Sequence, residues 1–228
     1  MFNFTKENPI ISALIATLLM VPLVLGMFLT LEPAVTLGQG PGPYDITVTQ
    51  EISDEISFSV APQDVTMDDA IAGVTGGEAN GSTTFAITTN NSLGYTVTIA
   101  FASTTAMEFN DGPEYIPNLG STVIPDFNAT AVSGTSGFGY TITGPEVISR
   151  LLGNTTSCGS GSAQSDACWE LTTDATSATT IVDSSNASDA GGDSYDLYFR
   201  VVVDGNPNPA LPEGFYTATA TLTATNNS

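Results

Sequence analysis

Three kinds of side chain could do chemistry in this chain: a pair of cysteines, a scatter of carboxylates, and asparagines in Asn-x-Ser/Thr triplets. Their usual helpers are missing. Histidine is absent, and the basic residues number three: Lys6, Arg150 and Arg200. Without imidazole there is no Ser-His-Asp or Cys-His relay and no histidine-ligated metal. Without lysine beyond position 6, Schiff-base and P-loop chemistry are excluded from the rest of the chain. The sequence therefore predicts no catalytic, cofactor-binding or metal-binding residue, and a protein that is not an enzyme. The enzyme class that the residue types still permit is a carboxylate-pair glycosidase, which needs two carboxyls facing one cleft ~5–10 Å apart.

Each remaining group has a structural role to set against a functional one. Cys158 and Cys168 flank a run of small, flexible residues, Gly159 to Ala167, which lets the thiols meet. In an oxidising exterior they form a disulfide, and closing a loop of about 11 residues stabilises a fold by roughly 3 kcal/mol in the chain-entropy model. Two thiols alone are an incomplete zinc set, and the spacing is not C-x-x-C. Sequons at Asn80, Asn90, Asn128, Asn154, Asn186 and Asn226 are candidate glycosylation sites, although a chain rich in Ser, Thr and Asn generates such triplets by chance. Asp68 with Asp69, Asp111 with Glu114, and Asp193 with Asp196 have oxygens that suit calcium. No D-x-D-x-D-G loop accompanies them, and they read as solvated turn carboxylates. Trp169, Tyr115 and Tyr198 could stack on sugar rings; Trp169, beside Cys168, is expected to pack over the disulfide instead.

The elements that hold these groups begin with an uncharged run, Ile10–Leu31. At ~1.5 Å rise per residue it makes a helix of about 33 Å, enough to cross a ~30 Å hydrocarbon core. Lys6 before it and Glu32 after it predict a cytoplasmic N-terminus and an exported remainder. The run is long for a cleaved signal, which favours a retained anchor; small residues in Ala34–Gly38 leave cleavage and secretion open. Residues 1–37 are thus the anchor or signal, 38–43 (Gly-Gln-Gly-Pro-Gly-Pro) a linker, and 44–228 one extracellular domain. The formal charge of −21 argues against nucleic acid and anionic lipid headgroups as partners.

From Tyr44 the chain alternates. Tyr44, Ile46, Val48, Ile52, Ile56, Phe58 and Val60 share one parity, with polar residues between them. Unbroken, this strand would run about 56 Å, so Ser53-Asp54-Glu55 is a candidate break. Further strands are predicted at Thr84–Thr89, Tyr95–Phe101, Phe138–Ile142, Tyr195–Val203 and Phe215–Thr225. Turn clusters lie at Gly73–Gly81, Asn90–Gly94, Gly134–Gly137, Ala190–Asp193 and Asp204–Pro209. Tyr195–Val203 is apolar on both faces and reads as a central strand; Phe215–Thr225 offers Ala and Leu on one face and Thr on the other. Pro145–Leu152 is predicted as a helix of one or two turns. The interval 102–190 is otherwise rich in loop signals. The fold class expected is all-β, a single Ig-like or jelly-roll β-sandwich behind an N-terminal transmembrane or signal helix.

Several stretches resemble a family of exported surface proteins of candidate-phyla-radiation (Patescibacteria) bacteria. They are Val65–Met67, Ile71–Gly77, Thr88–Asn91, Gly94–Ile99, Asn154–Cys158, Cys168-Trp169 and Gly214–Ala224. The resemblance implies a surface-exposed β-sandwich and carries no catalytic signature. The plan of an exported segment plus one sandwich is also similar to TasA/camelysin-type fibre subunits and to fimbrial subunits, a likeness of architecture. The function expected is a cell-surface structural or adhesive subunit. Tyr44–Val60 is expected first to complete its own sandwich; the bolder option is self-association by strand addition, with Tyr44–Val60 the candidate donor and Phe215–Thr225 the candidate acceptor edge. The alternative is a carbohydrate-binding surface module with a glycan ligand, which an aromatic platform on one sheet face would favour.

Overall fold

The computed structural model describes Leu18 and residues 46–105, 107–118, 123–125, 127, 136–154, 157–158, 168–170, 177–207 and 210–228. Apart from Leu18, the predicted membrane run Ile10–Leu31 lies outside the described residues, as do the linker 38–43 and Tyr44. Among the described residues, no helix is long and apolar enough to cross a membrane. The chain divides into two compact units, Met1–Glu51 and Ile52–Ser228. In the first, residues 46–51 carry neither strand nor helix.

The second unit is all-β. Its strands are β1 (Ile56–Val60), β2 (Gly77–Thr89), β3 (Tyr95–Phe101), β4 (Met107–Phe109), β5 (Tyr115–Ile116), β6 (Ile124–Pro125), β7 (Gly137–Thr143), β8 (Gly153–Asn154), β9 (Ser157–Cys158), β10 (Cys168–Trp169), β11 (Thr179–Ser184), β12 (Asp193–Val203), β13 (Tyr216–Ala218) and β14 (Ala220–Asn226). One sheet runs β1-β2-β12-β7 and faces a second, β11-β3-β14; smaller ladders are β13-β4-β5, β10-β6 and β8-β9. Every strand pairing is antiparallel.

Alternation dictates this layering. In β3, Tyr95, Val97, Ile99 and Phe101 are buried while Thr96, Thr98 and Ala100 are not. Phe85 and Ile87 of β2, Tyr140 and Ile142 of β7, and Tyr195, Leu197, Val201 and Val203 of β12 meet them from the opposite sheet in one apolar cluster. Each such side chain contributes about 1.5–3 kcal/mol of burial, so the sandwich is held by its inner faces. A smaller cluster of Phe127, Trp169 and Val202 covers part of the outer face of β12. One end of the sandwich carries the Asn90–Gly94 turn. There Ile56 pairs with Thr89, and Asn226 with Tyr95. At the far end Val203 pairs with Gly77, and Ala220 with Phe101.

Four expectations are corrected. The alternating segment breaks at Ser53-Asp54-Glu55, as marked, but only its second part is a strand: β1 begins at Ile56, where β2 can pair with it, while residues 46–52 form none and Ile46, Val48 and Ile52 are 85, 89 and 81% exposed. The helix at Pro145–Leu152 shrinks to a 3-10 turn, Ser149–Leu151. Glu146 takes φ 52°, and Val147 bridges Val182, so the residues before Ser149 are drawn into the sheet edge. The turn predicted at Gly73–Gly81 closes by Gly76, and Gly77–Gly81 belong to β2 because β12 extends opposite them to Val203. Phe215–Thr225 is split at Thr219, whose carbonyl accepts from Ala102 N–H (2.9 Å). Tyr195–Val203 does lie centrally, within β12, though Tyr198 on its outer face is exposed.

Candidate functional site

The two facing sheets present four edges, and two are blunted. Along β7, Glu170 exchanges backbone hydrogen bonds with Tyr140 (2.8 and 3.2 Å), and Phe138 N–H donates to Pro117 O (3.3 Å). Along β11, Ile148 N–H donates to Ile181 O (3.2 Å) and Asp183 N–H to Glu146 O (3.1 Å). The outer edges of β1 and β14 have no strand neighbour among the described residues. They flank the same side of the sandwich: Phe58 of β1 and Leu222 and Ala224 of β14 pack on the common core, and Thr89 Oγ1 lies 2.8 Å from Asn226 Oδ1. An unpaired edge is a template for another strand.

That side also carries a groove. β1 ends at Val60, and Pro62 cannot donate to a ladder. The following loop tracks β2 with few bonds: Gln63 N–H to Thr83 Oγ1 (2.8 Å), and Asp68 N–H to Asn80 O (2.8 Å). Between this loop and β13–β14 lies a groove of about 1180 Å³, in the half of the sandwich away from the Asn90–Gly94 turn. Phe101, Met107, Ile116, Leu197 and Val201 form its apolar floor. Val74 and Phe215, exposed at 71 and 81%, also line it. The small side chains of Ala218 and Ala220 keep the β13–β14 wall thin.

Asn90 continues the β1–β2 ladder beyond the end of β2. Its Oδ1 accepts from Glu55 N–H (2.7 Å), and its Nδ2 donates to Ser53 O (3.0 Å). Thr89 Oγ1 donates to Glu55 O (2.7 Å). A side-chain amide thus stands in for the backbone of the next strand residue and holds 53–55 in line with β1.

The remaining predicted groups are placed as follows. Cys158 and Cys168 form a disulfide with Cα atoms 5.7 Å apart, joining β9 to β10. Trp169 packs on Phe127 beside it. Tyr115 and Tyr198 lie in different sheets, on β5 and β12. Asn80 is half-buried, with Oδ1 accepting from Arg200 Nε (2.7 Å), and the Asn90 amide is committed as described. Asn186 is exposed, but Ser188 of its triplet is bonded to Thr89 N–H (2.9 Å). Asn226 Oδ1 lies 2.8 Å from Thr89 Oγ1. Asn128 and the Asn154 side chain lie outside the described residues. Of the acidic pairs, Asp68 Oδ1 caps Asn80 N–H (2.6 Å), while Asp196 accepts from Thr84 Oγ1 (2.6 Å). Among the described residues, no three Asp, Glu, Cys or His side chains converge as a metal site would need.

Sequence reasoning missed two polar clusters. Tyr95 OH donates to Asp193 Oδ2 (2.5 Å) and meets Tyr195 OH (2.6 Å). Burial, followed by the Asp193 and Tyr195 contacts, pushes the Tyr95 phenol up. Burial pushes Tyr195 up to about 12, with the charges of Asp193 and Glu146 adding and the Tyr95 hydrogen bond opposing. In the second cluster, Arg150 Nη2 donates to Glu170 Oε2 and Thr180 O (2.8 and 2.9 Å), and Tyr140 OH donates to the same Glu170 oxygen (2.8 Å). Burial and then the Glu170 charge raise Tyr140. Both arginines are structural: the Arg200 guanidinium lies 4.5 Å over Trp169 and donates to Phe127 O. The rarity of cations in so acidic a chain was the available signal. Comparison of the chain with protein-family models and with curated proteins finds no match.

Proposed function

We propose that this protein is a non-catalytic structural or adhesive subunit of the cell surface. In this reading it is held to the membrane through residues 10–31, with the sandwich outside, and it self-associates by strand addition. One observation carries the proposal: an alternating segment, Ile46–Ile52, has exposed apolar side chains, while the sandwich presents an edge with no strand neighbour among the described residues, beside an apolar groove. Exposed apolar side chains on an extended segment are an aggregation hazard unless a partner covers them. The segment matches β14 in length, seven residues against the seven of Ala220–Asn226. Main-chain bonds to the β14 edge would supply affinity, and Ile46, Val48 and Ile52 would fill the groove. The finer topology belongs to this proposal, as an Ig-like or jelly-roll sandwich of the kind used by fibre subunits. The glycan-binding alternative has less support, since the exposed tyrosines belong to different sheets.

The test is the assembly state of the full-length protein in mild detergent, by light scattering and negative-stain imaging. Chains or fibres are expected, and deletion of residues 46–52 should leave monomers that bind a peptide of that sequence. A wild-type protein that stays monomeric at high concentration would sink the proposal.

A further inference from the structure

Resting on the strand-addition reading, we infer that Asn90 is a positioning residue that commits the Ile46–Ile52 segment to a second copy of the chain and gives the assembly its polarity. A segment lying just before β1 has two routes to a groove. It could turn back at Ser53-Asp54-Glu55 and run down its own open side, or it could continue straight and enter a neighbour. Ser-Asp-Glu is a sequence that tolerates a turn. Asn90 opposes that turn by engaging both sides of Asp54, with Ser53 O and Glu55 N–H each bonded to its one amide. Residues 53, 55 and 57 then face β2 in unbroken strand alternation, and the chain leaves the β1–β2 ladder at Ser53, at the Asn90–Gly94 end.

The groove opens in the opposite half, beside Ala220, Phe101 and Val203. Exit at one end and acceptor at the other make a head-to-tail interface. Such an interface does not close on two copies, so it propagates to further copies, as an open chain or a larger ring. The orientations differ too. β1 runs away from the Asn90–Gly94 end and β14 runs toward it. A segment folded back on its own domain would therefore lie parallel to β14. One from a second copy is free to take the antiparallel pairing that every other ladder uses, which is slightly more stable per residue. Holding the root of the donor also removes part of the ordering entropy that docking costs.

The experiment uses full-length protein carrying Thr49→Cys and Thr221→Cys, one on the donor and one on β14, oxidised in detergent. An interchain bond reports entry into a neighbour, seen as a ladder on a non-reducing gel. An intrachain bond reports self-insertion, seen by mass spectrometry of the monomer band. With Asn90 intact the ladder should dominate. Asn90→Ala removes two hydrogen bonds and should shift the interchain-to-intrachain ratio by about tenfold toward the intrachain bond. Asn90→Asp keeps the acceptor for Glu55 N–H, loses the donor to Ser53 O, and should fall between. Melting curves check that each variant is folded. An Asn90→Ala ratio equal to that of the parent overturns the role of Asn90 alone, as long as deletion of 46–52 still abolishes the ladder. An intrachain bond that dominates with Asn90 intact overturns the polarity. No bond of either kind, with all variants folded, overturns strand addition and this inference with it.

Discussion

Arg200 is the residue whose loss should cost the sandwich most for a single surface-facing side chain. It lies in β12 on the outer face, where its Nε donates to Asn80 Oδ1 at 2.7 Å, its Nη1 donates to Phe127 O, and its guanidinium plane lies 4.5 Å over Trp169. Truncation to alanine leaves two acceptors unmet. The Phe127 carbonyl belongs to a buried residue, so its lost bond costs about 2 kcal/mol, whereas half-buried Asn80 can find water and costs about 1. The cation–π contact adds about 1 kcal/mol. The expected loss is about 4 kcal/mol, a large share of the ~5–15 kcal/mol that holds a domain together, and corresponds to a fall in Tm of roughly 8–16 °C. Arg200→Lys should recover only part of this, because one ammonium cannot span partners that a planar fork reaches at once. Trp169 is the only tryptophan, so its fluorescence in a urea titration reads the site directly, with far-UV circular dichroism following the sheets. A loss below 1 kcal/mol for Arg200→Ala, with both signals moving together, would refute the accounting. It would mean that water replaces the guanidinium at little cost.

Three further outcomes follow from buried or strained groups. Tyr95, Tyr140 and Tyr195 are all raised above 10, so the folded state keeps protons that the unfolded chain releases. Their stabilisation is complete below about pH 10 and is lost as pH rises toward and past 12, at up to about 1.4 kcal/mol per pH unit for each tyrosine. Urea midpoints measured from pH 9 to 12 should therefore fall steeply, and Tyr195→Phe should flatten the slope. Reducing Cys158–Cys168, whose sequence separation is 10, should cost about 3 kcal/mol and move Trp169 emission, since Cys168 is its neighbour. Free thiols in protein recovered from cells would contradict the bridge. Gly94 sits at φ 88°, and a Cβ there would strike the Ser184 carbonyl, so Gly94→Ala should cost at least about 2 kcal/mol by thermal melt.

Strands that bury one face against a partner are legible in the sequence itself. Tyr95–Phe101 has the predicted bounds, because both its faces are set by alternation and both its ends by turn chemistry. The disulfide is legible from the spacing of its cysteines, whereas adjacency to Cys168 does not reveal that Trp169 packs on Phe127 and lies under the Arg200 guanidinium. β11 escapes such a reading: Ile181 and Val182 are both fully buried, an apolar pair that breaks the period-2 pattern at the bulge between Thr180 and Val182. The two-residue ladders between residues 115 and 169 are illegible because too few side chains repeat to show a period. The tyrosine and arginine clusters join residues up to about a hundred positions apart, and no local pattern encodes such a pairing.

The overreading of Tyr44–Val60 is the most instructive difference. Alternation describes what a segment could bury, and pairing decides whether it does. Residues 56–60 have β2 beside them and become a strand. Residues 46–52 carry the same pattern, yet the ladder partner ends at Thr89, and the Thr89 and Asn90 side chains extend it only to residues 53–55. Ile46, Val48 and Ile52 are therefore left exposed, while the sandwich carries, among the described residues, an edge without a strand neighbour beside an apolar groove. Two unsatisfied halves of one interaction in one chain, with the donor leaving at one end of the domain and the groove opening toward the other, are the arrangement that satisfies both when copies join end to end. That is why the exposed Ile46, Val48 and Ile52 argue for assembly more strongly than either the groove or the free edge would alone.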